Sequence, residues 1–350
     1  MHSLDLTKVG LTNESYSTEQ EALIRRAIIT VEQQHLYAEV VPEQYRVTLA
    51  PAEIAEEIAR YRVALAPHKK LSEDVLRHIF TLACDGKAGD AAVLNPATAN
   101  TWAAVKLSYV CSAWRRIALE MPHLWIQIEV KMQDSSSRAD IINNNDRKIQ
   151  LAEMWLARGG CLPRTLFFSS SQDRNYDPMK QLVFPYSFRI LDLSLYDRDL
   201  ESLRNIEPKC MVSLEYFTIC WMPPRQYRRC QFSLPLPAKM PNLSHLCLDS
   251  CIEVNLEKLV TAVPWHQLTR IELSFPVPSM TCFNVILLQG MSLKYCILYP
   301  AMDSHFVDTS AESIILPRMM NMTLHCTSTT DVQLFNRRVE TPNARRRYIN

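Results

Sequence analysis

"LSHLCL", residues 243 to 248, places three hydrophobic residues in the pattern apolar-x-x-apolar-x-apolar, and this triplet recurs through the second half of the chain. Other copies are "FRILDL" from 188, "LEYFTI" from 214, "LTRIEL" from 268 and "LKYCIL" from 293, and a last one begins at Met319. In a chain with 47% hydrophobic residues, any single triplet can arise by chance. The informative feature is the even spacing of about 25 to 29 residues, which is typical of repeat architectures.

The repeat period falls within the range of about 20 to 29 residues that leucine-rich repeats have. A connecting helix is predicted at "NLEKLVTAVP", residues 255–264, from the helical spacing of its apolar residues. One strand with its connection cannot bury its own apolar face, so neighbouring units must cover one another. Residues 131–335 are therefore predicted to form an α/β solenoid that resembles leucine-rich-repeat proteins, with a parallel curved sheet. An ordinary α/β domain with similarly spaced strands is the alternative.

Composition narrows the choice of partners and cofactors. With 38 Lys and Arg residues against 37 Asp and Glu residues, the net charge is +1, so neither nucleic acid nor an anionic membrane is the expected partner. Only 6 residues are glycine and no glycine-rich phosphate loop occurs, which argues against a nucleotide cofactor. We expect no cofactor and a partner that is another protein.

Catalytic and metal-binding patterns are also missing from the sequence. The 11 cysteines are scattered without a CxxC pair, so they are expected to be buried thiols and not zinc ligands. No GxSxG or HExxH motif is present, and the chain is not expected to be an enzyme. The first residues lack the pattern of a signal peptide, and no apolar run has the length of a membrane span. These features predict a cytoplasmic or nuclear protein.

The ends of the chain are predicted from polarity and periodicity. Residues 1–20 are polar and expected to be disordered. Residues 21–66 have helical periodicity, with Leu23, Ile24 and Ile28 on one face and Pro51 at the start of a second helix. Residues 336–350 are expected to be a solvated basic tail, with a nuclear address or a nucleic-acid arm as the alternative.

Two amphipathic stretches lie between these regions. "LSEDVLRHIF", residues 71–80, predicts a helix with Ser72 as its N-cap and one apolar stripe. "LSYVCSAWRRIALEMPHLW", residues 107–125, predicts one further helix that ends before Pro122. A strand is predicted over "LWIQIEV", residues 124–130, and a polar loop over residues 133–147. A short helix should follow and end at Gly159 and Gly160.

Together these two stretches resemble the F-box. Its usual form is Leu-Pro-x-Glu-aliphatic-Leu-x-x-Ile-Phe, then Leu-x-x-Val-Cys-x-x-Trp-Arg-x-Ile-Ala, then Leu-Trp. Ser72 replaces the usual proline and Asp74 the usual glutamate. The lead-in "YRVALAPHKKLS" and the insertion between the stretches are similar to F-box proteins of basidiomycete fungi. The resemblance covers residues 67–130, so the expected fold is mixed α and β, with N-terminal helices and a helical F-box before the repeats.

The F-box resemblance implies the substrate-recognition subunit of a Skp-cullin-F-box ubiquitin ligase. The F-box would bind a Skp-type adaptor, and through it a cullin, while the repeats would hold an unknown protein substrate. The alternative is a non-catalytic repeat scaffold that uses its F-box outside a ubiquitin ligase. The residues expected to bind the adaptor are the apolar motif positions Leu71, Val75, Leu76, Ile79, Phe80, Leu107, Val110, Cys111, Trp114, Ile117, Leu124 and Trp125.

Two further points concern the proposed contact residues. Val75, Ile79, Val110 and Trp114 could instead form the internal core of a helical subdomain, and the sequence leaves this alternative open.

For the substrate, polar and aromatic residues beside the repeat strands are the candidates, because they can vary without disturbing the stack of repeats. These candidates are Asp192, Glu215, Tyr216, His245, Arg270 and Lys294.

Overall fold

The structure, a computed structural model, divides the chain into two compact units. One contains residues 1–85 and 103–121, and the other contains residues 86–102 and 122–350. The described residues are 5–9, 15–40, 51–84, 103–132, 138–170, 177–196, 199, 202–203, 206–221, 231–232, 240–249, 253–254, 263–277, 286–288, 290–300, 313–325 and 329–349.

The first unit is helical. Its helices are α1 (Thr18–Val40), α2 (Pro51–Ala64), α3 (Glu73–Cys84), α4 (Ala103–Val110) and α5 (Ser112–Leu119). Pro51 is the first residue of α2, as predicted, because the N–H that proline lacks has no partner at that position anyway. Ile24 of α1 packs with Tyr61 and Ala64 of α2 in a buried cluster. The predicted apolar face of α1 is confirmed except at Leu23, which is exposed.

Two sequence predictions for this unit are wrong. Residues 5–9 are ordered instead of disordered: Leu6–Lys8 form a 3-10 turn whose N-cap is Asp5, and Val9 is buried in the α1–α2 cluster. The helix expected through residues 107–118 is interrupted at Cys111, whose backbone is extended at φ −161°. Its Sγ accepts a hydrogen bond from the Trp114 amide over 3.5 Å, so Cys111 is the N-cap of α5.

The second unit is built on strands. The strands are β1 (Gln127–Lys131), β2 (Arg164–Ser169), β3 (Phe188–Leu195), β4 (Tyr216–Trp221), β5 (Gln231–Phe232), β6 (His245–Asp249), β7 (Glu253–Val254), β8 (Arg270–Val277), β9 (Tyr295–Pro300), β10 (Ile314–Ile315), β11 (Asn321–His325), β12 (Val339–Glu340) and β13 (Arg345–Ile349). Its two longer described helices are α6 (Arg138–Arg158) and α7 (Thr329–Arg338), and a short π-helix covers Met179–Val183. The helix predicted at residues 255–264 lies outside the described residues, apart from its last two.

Nine of these strands form one parallel sheet in the order β1-β2-β3-β4-β6-β8-β9-β11-β13. The order in space therefore follows the order in the chain. β5 pairs with β7 and β10 with β12 in two small parallel sheets. The mixed α and β class is confirmed, and so is a strand at every predicted triplet. Each inner strand of the sheet pairs with the sheet strand before it and the sheet strand after it in the chain, so the strand pairing is local in sequence.

A backbone ladder joins the turns that precede the strands. The Ser244 amide donates to the Glu215 carbonyl over 2.9 Å, and the Thr269 amide donates to the Ser244 carbonyl over 2.8 Å. The same step recurs from Lys294 to Thr269 and from Met320 to Lys294. These bonds place equivalent residues of successive units side by side, because each links the same position in two neighbours.

The triplet residues form the core on one side of the sheet. All of them are buried, from Phe188 at the first triplet to Leu324 at the last. Since side chains alternate along a strand, the residues between them point to the opposite side. We call that opposite side the open face. Its side chains are partly buried or exposed wherever the structure describes them between β3 and β11.

Three elements of this unit differ from the sequence predictions. Residues 138–147 belong to α6 and not to a loop, because arginine, aspartate and asparagine lower helix propensity only slightly. β2 was not predicted, since its sequence does not alternate. The tail expected at residues 336–350 instead contains the end of α7 and β12, and then β13, which pairs with β11. The predicted end of α6 is correct: Gly160 has a φ of 62°, which favours glycine.

Candidate functional site

The first candidate site is an apolar stripe on α3 and the turn before it. Val75, Ile79 and Leu82 follow one another at steps of four and three residues, so they share one side of the helix, and Leu71 lies in the turn before it. All four are exposed, and the exposed fraction of Val75 is 45%. We call these four residues the outer stripe. Three exposed hydrophobic side chains on one helix face, with a fourth just before the helix, are typical of a surface that binds another chain.

The other side of α3 packs within the helical unit. Leu76 and Phe80 are buried, and the Phe80 ring lies 4.9 Å from the Trp114 ring of α5. Trp114 also makes an edge contact with His68, with ring centroids 5.6 Å apart. The sequence suggested a single apolar stripe, whereas the structure separates inward residues from outward ones. The outer stripe is therefore supported from behind by packed aromatic rings.

The other predicted adaptor-binding residues divide in the same way. Val110 is exposed, and Leu107, Cys111 and Trp114 are partly buried. Ile117 is buried among the helices and can contribute to binding only by holding α5 in place.

The last two predicted adaptor-binding residues belong to the other unit. Leu124 and Trp125 are buried in the strand-containing unit, where the Trp125 ring lies 4.7 Å from the Trp155 ring. Their burial supports that unit and leaves them without accessible surface for a partner.

A ring of four charges joins α3 to α5. Glu73 binds Arg77 over 2.6 Å and Arg116 over 2.9 Å, and Glu120 binds the same two arginines over 2.8 and 3.3 Å. Hydrogen bonds from Arg116 and then Arg77 lower the pKa of the Glu73 carboxyl. The sequence contains a signal for half of this ring, because Glu73–Arg77 and Arg116–Glu120 are each four residues apart. The cross-helix pairs could not be read from spacing.

The second candidate site is the open face of the sheet. Strand register places Tyr216, His245 and Arg270 side by side on β4, β6 and β8, so the structure brings these three predicted residues together. The Tyr216 and His245 rings stack, with centroids 4.1 Å apart. Nδ1 of His245 lies 2.8 Å from the Ser244 hydroxyl. Burial, and then the charge of Arg270, lower the pKa of His245.

The remaining predicted substrate residues occupy two different positions. Asp192 lies in the middle of β3 on the open face, in register with Thr218 of β4. Glu215 and Lys294 immediately precede β4 and β9, where their backbones belong to the hydrogen-bond ladder. Asp192 is therefore placed to meet a ligand on the sheet surface, whereas the other two lie at its border.

Two thiols on the open face stay protonated at neutral pH. Burial and the neighbouring Asp249 carboxylate raise the pKa of Cys220 to about 11, and Cys220 Sγ donates to Asp249 Oδ2 over 3.3 Å. Burial and Glu272 raise the pKa of Cys247 to about 12. A nucleophilic cysteine needs the opposite shift, so the surroundings of these thiols do not activate them for covalent chemistry.

Within the described ranges, no group of three or more His, Cys, Asp and Glu side chains is arranged to hold a metal ion. None of the described helices combines the length and apolar character that crossing a bilayer requires. No protein-family model matches this chain, and no curated protein or solved structure matches it either.

Proposed function

We propose that this chain is a substrate-recognition subunit of a Skp-cullin-F-box ubiquitin ligase. Helices α3, α4 and α5 act as the F-box and bind a Skp-type adaptor through the outer stripe. The strand-containing unit acts as a leucine-rich-repeat-like solenoid that holds the target protein. The chain itself performs no catalysis and needs no cofactor.

The observation that carries this proposal is the outer stripe. Its residues coincide with motif positions of the F-box resemblance at Leu71, Val75 and Ile79, and these are the apolar residues of the first motif stretch, 71–80, that are exposed. Phe80 and Trp114, also motif positions, pack behind them. A helix whose inner side is packed and whose outer side is apolar has the arrangement of a helix-in-groove ligand.

The sheet supports the second half of the proposal. Its strands follow one another in chain order, and every predicted triplet supplies a buried strand. Stacked units of this kind present their strands side by side, and the residues on the uncovered side can change without loss of the core. Such a surface suits the recognition of a protein.

A pull-down with a Skp-type adaptor tests the first half. We expect Val75→Asp to reduce adaptor binding by about tenfold or more, because a charge in a packed apolar interface costs about 2 kcal/mol or more. Val63→Asp is the matched control, since Val63 lies on α2 of the same unit and has an exposed fraction of 51%. It should bind like the wild type.

Equal binding by Val75→Asp and the wild type would contradict the F-box assignment. Circular dichroism of both variants checks that their helix content is unchanged. Recovery of a cullin in the complex with the wild-type chain would support the ligase role, whereas adaptor without cullin would favour a scaffold outside the ligase.

A further inference from the structure

Four carboxylate side chains lie on the open face, on strands β1, β3, β6 and β8. Glu129 of β1 and Asp192 of β3 lie in one row of the sheet, since both are in register with Phe167 of β2. The row continues through Thr218 and Cys247 to Glu272 of β8. Asp249 lies two residues beyond Cys247 on β6, on the same face. We call Glu129, Asp192, Asp249 and Glu272 the acidic strip.

The positive charges described beside this strip lie at its ends. Lys131 pairs with Glu129 over 2.5 Å, and Arg270 pairs with Glu272 over 3.6 Å. The middle is different: among the described residues, the charged group that acts on Asp192 is Glu129, which is another carboxylate. Asp192 is also partly buried, so it has lost some hydration without gaining a cation. Binding of a positive group would relieve both costs.

Carboxylates of the acidic strip act electrostatically on two thiols that lie near them, Cys220 and Cys247. After burial, which is the largest cause, Asp249 and Asp192 raise the pKa of Cys220. Glu272, Asp249 and Asp192 likewise raise the pKa of Cys247, and Arg270 opposes them. Asp192, Asp249 and Glu272 are thus close enough to act on the same small area. Counting the described residues, the area has four carboxylates against Lys131 and Arg270 and is therefore negative, although the chain is almost neutral at +1.

A stacked ring pair borders this negative area. Tyr216 and His245 stand in the row next to Thr218 and Cys247, and Tyr216 is exposed. Ring edges and faces of this kind pack against the aliphatic part of a lysine or arginine side chain while its charged end reaches the carboxylates. Threonine and serine hydroxyls in the same area, Thr218 and Ser194, can accept or donate hydrogen bonds.

We infer that the open face binds an extended, cationic segment of a protein, with a lysine or arginine side chain directed at Asp192 and Asp249. This inference rests on the proposed function, because it names the substrate class of the surface assigned there to the target protein. Charge complementarity selects this occupant. An anionic segment would add a fifth carboxylate to the strip, and an uncharged one would leave Asp192 uncompensated.

Fluorescence anisotropy with the full chain tests the inference. The probe is a fluorescein-labelled ten-residue peptide of alternating Lys and Ser, and the control peptides replace Lys by Glu or by norleucine. We expect binding of the Lys peptide alone, and weaker binding as salt is raised. Asp192→Asn/Asp249→Asn should weaken it about tenfold or more, the effect of losing a charge-assisted hydrogen bond.

Glu207→Gln is the matched control, because Glu207 is an exposed carboxylate in the turn before β4. It should leave the affinity for the Lys peptide unchanged. A wild-type chain that does not bind the Lys peptide, or that binds the norleucine peptide equally well, would overturn the inference. So would an equal loss of affinity in Glu207→Gln and in the double variant.

The adaptor pull-down separates this result from the proposed function. A chain that binds the adaptor but not the Lys peptide would remove the inference alone. A chain that binds the Lys peptide through Asp192 but does not bind the adaptor would remove the ligase proposal and keep the cationic ligand.

Discussion

Single residues with the same hydrophobic character have opposite roles in the helical unit. Val75 and Leu76 are adjacent on α3, yet Val75 is exposed and Leu76 is buried. The sequence could identify both as motif residues, because the apolar spacing includes both. It could not separate them, since which side of a stripe faces the core depends on where α5 packs. Trp114 of α5 packs against Phe80, and this contact fixes which side of α3 faces inward.

Asp192 gives a residue-scale prediction about stability. Burial, and then Glu129, raise the pKa of its carboxyl above the ordinary value of 3.8. The folded protein therefore keeps this proton to a higher pH than the unfolded chain does. Stability falls as pH rises through the folded pKa, and at about pH 7 the ionised carboxylate destabilises the fold. We expect Asp192→Asn to raise the melting temperature at about pH 7.

The gain in melting temperature should shrink as the pH is lowered toward the ordinary pKa of an aspartate, about 3.9. Thermal unfolding followed by circular dichroism between about pH 4 and pH 8 measures it. The Glu207→Gln variant serves again as the comparison. A melting temperature for Asp192→Asn below that of the wild type at about pH 7 would show that the carboxylate has a stabilising partner.

At the scale of elements, the start of α3 shows how serine is accommodated at position 72, where the proposed F-box motif usually has proline. Ser72 Oγ accepts from the Val75 amide over 3.4 Å, a long N-cap bond, and the Ser72 carbonyl accepts from the Leu76 amide over 3.0 Å. Leu71 has φ −71° and ψ 133°, the extended conformation that a residue before proline needs. Either residue type therefore fits this helix start.

Two variants at Ser72 should shift stability in opposite directions. We expect Ser72→Ala to destabilise the helical unit by about 0.5 kcal/mol through loss of the cap. Ser72→Pro should stabilise it by up to about 1 kcal/mol, because proline reduces the freedom of the unfolded chain. Urea unfolding followed by helix signal measures both changes. A proline variant less stable than the alanine variant would mean that the Ser72 amide has a partner in the folded state.

The sequence predicted some elements well and others not at all, for physical reasons that differ. The triplet strands were predictable, because a strand covered on one face must repeat apolar residues at every second position. β2 carries "RTLFFS" without alternation, and β13 carries three arginines, so neither has that signal. Both are strands because neighbours pair with them. The break between α4 and α5 depends on Cys111 acting as a cap, which is unusual for cysteine.

At the scale of the whole strand-containing unit, the sheet formed by the described strands has two edges, β1 and β13. β13 is the edge with the sequence "RRRYI", residues 345–349. Charged residues on an edge strand oppose pairing with the edge of another molecule. We therefore expect the basic sequence of β13 to oppose extension of the sheet by another molecule.

Replacing Arg345, Arg346 and Arg347 by threonine should increase self-association of the chain. Threonine keeps the tendency to form a strand and removes the repulsion. Light scattering over time measures the effect. A matched variant removes three arginines from helices, with Arg25, Arg26 and Arg337 changed to threonine, and should scatter like the wild type. Equal scattering by both variants would assign the effect to net charge and not to the edge.

The strands of the sheet follow one another in chain order. This order determines how the sheet would change if one repeat were gained or lost during evolution. Neighbouring strands lie about 4.8 Å apart, so the nine-stranded sheet is about 38 Å wide. Duplicating or deleting one unit of about 26 residues would change that width by a single step. Because the ladder bonds link only neighbours, the flanking units could re-form them across the new junction. The open face would thus become longer or shorter by one strand at each such step.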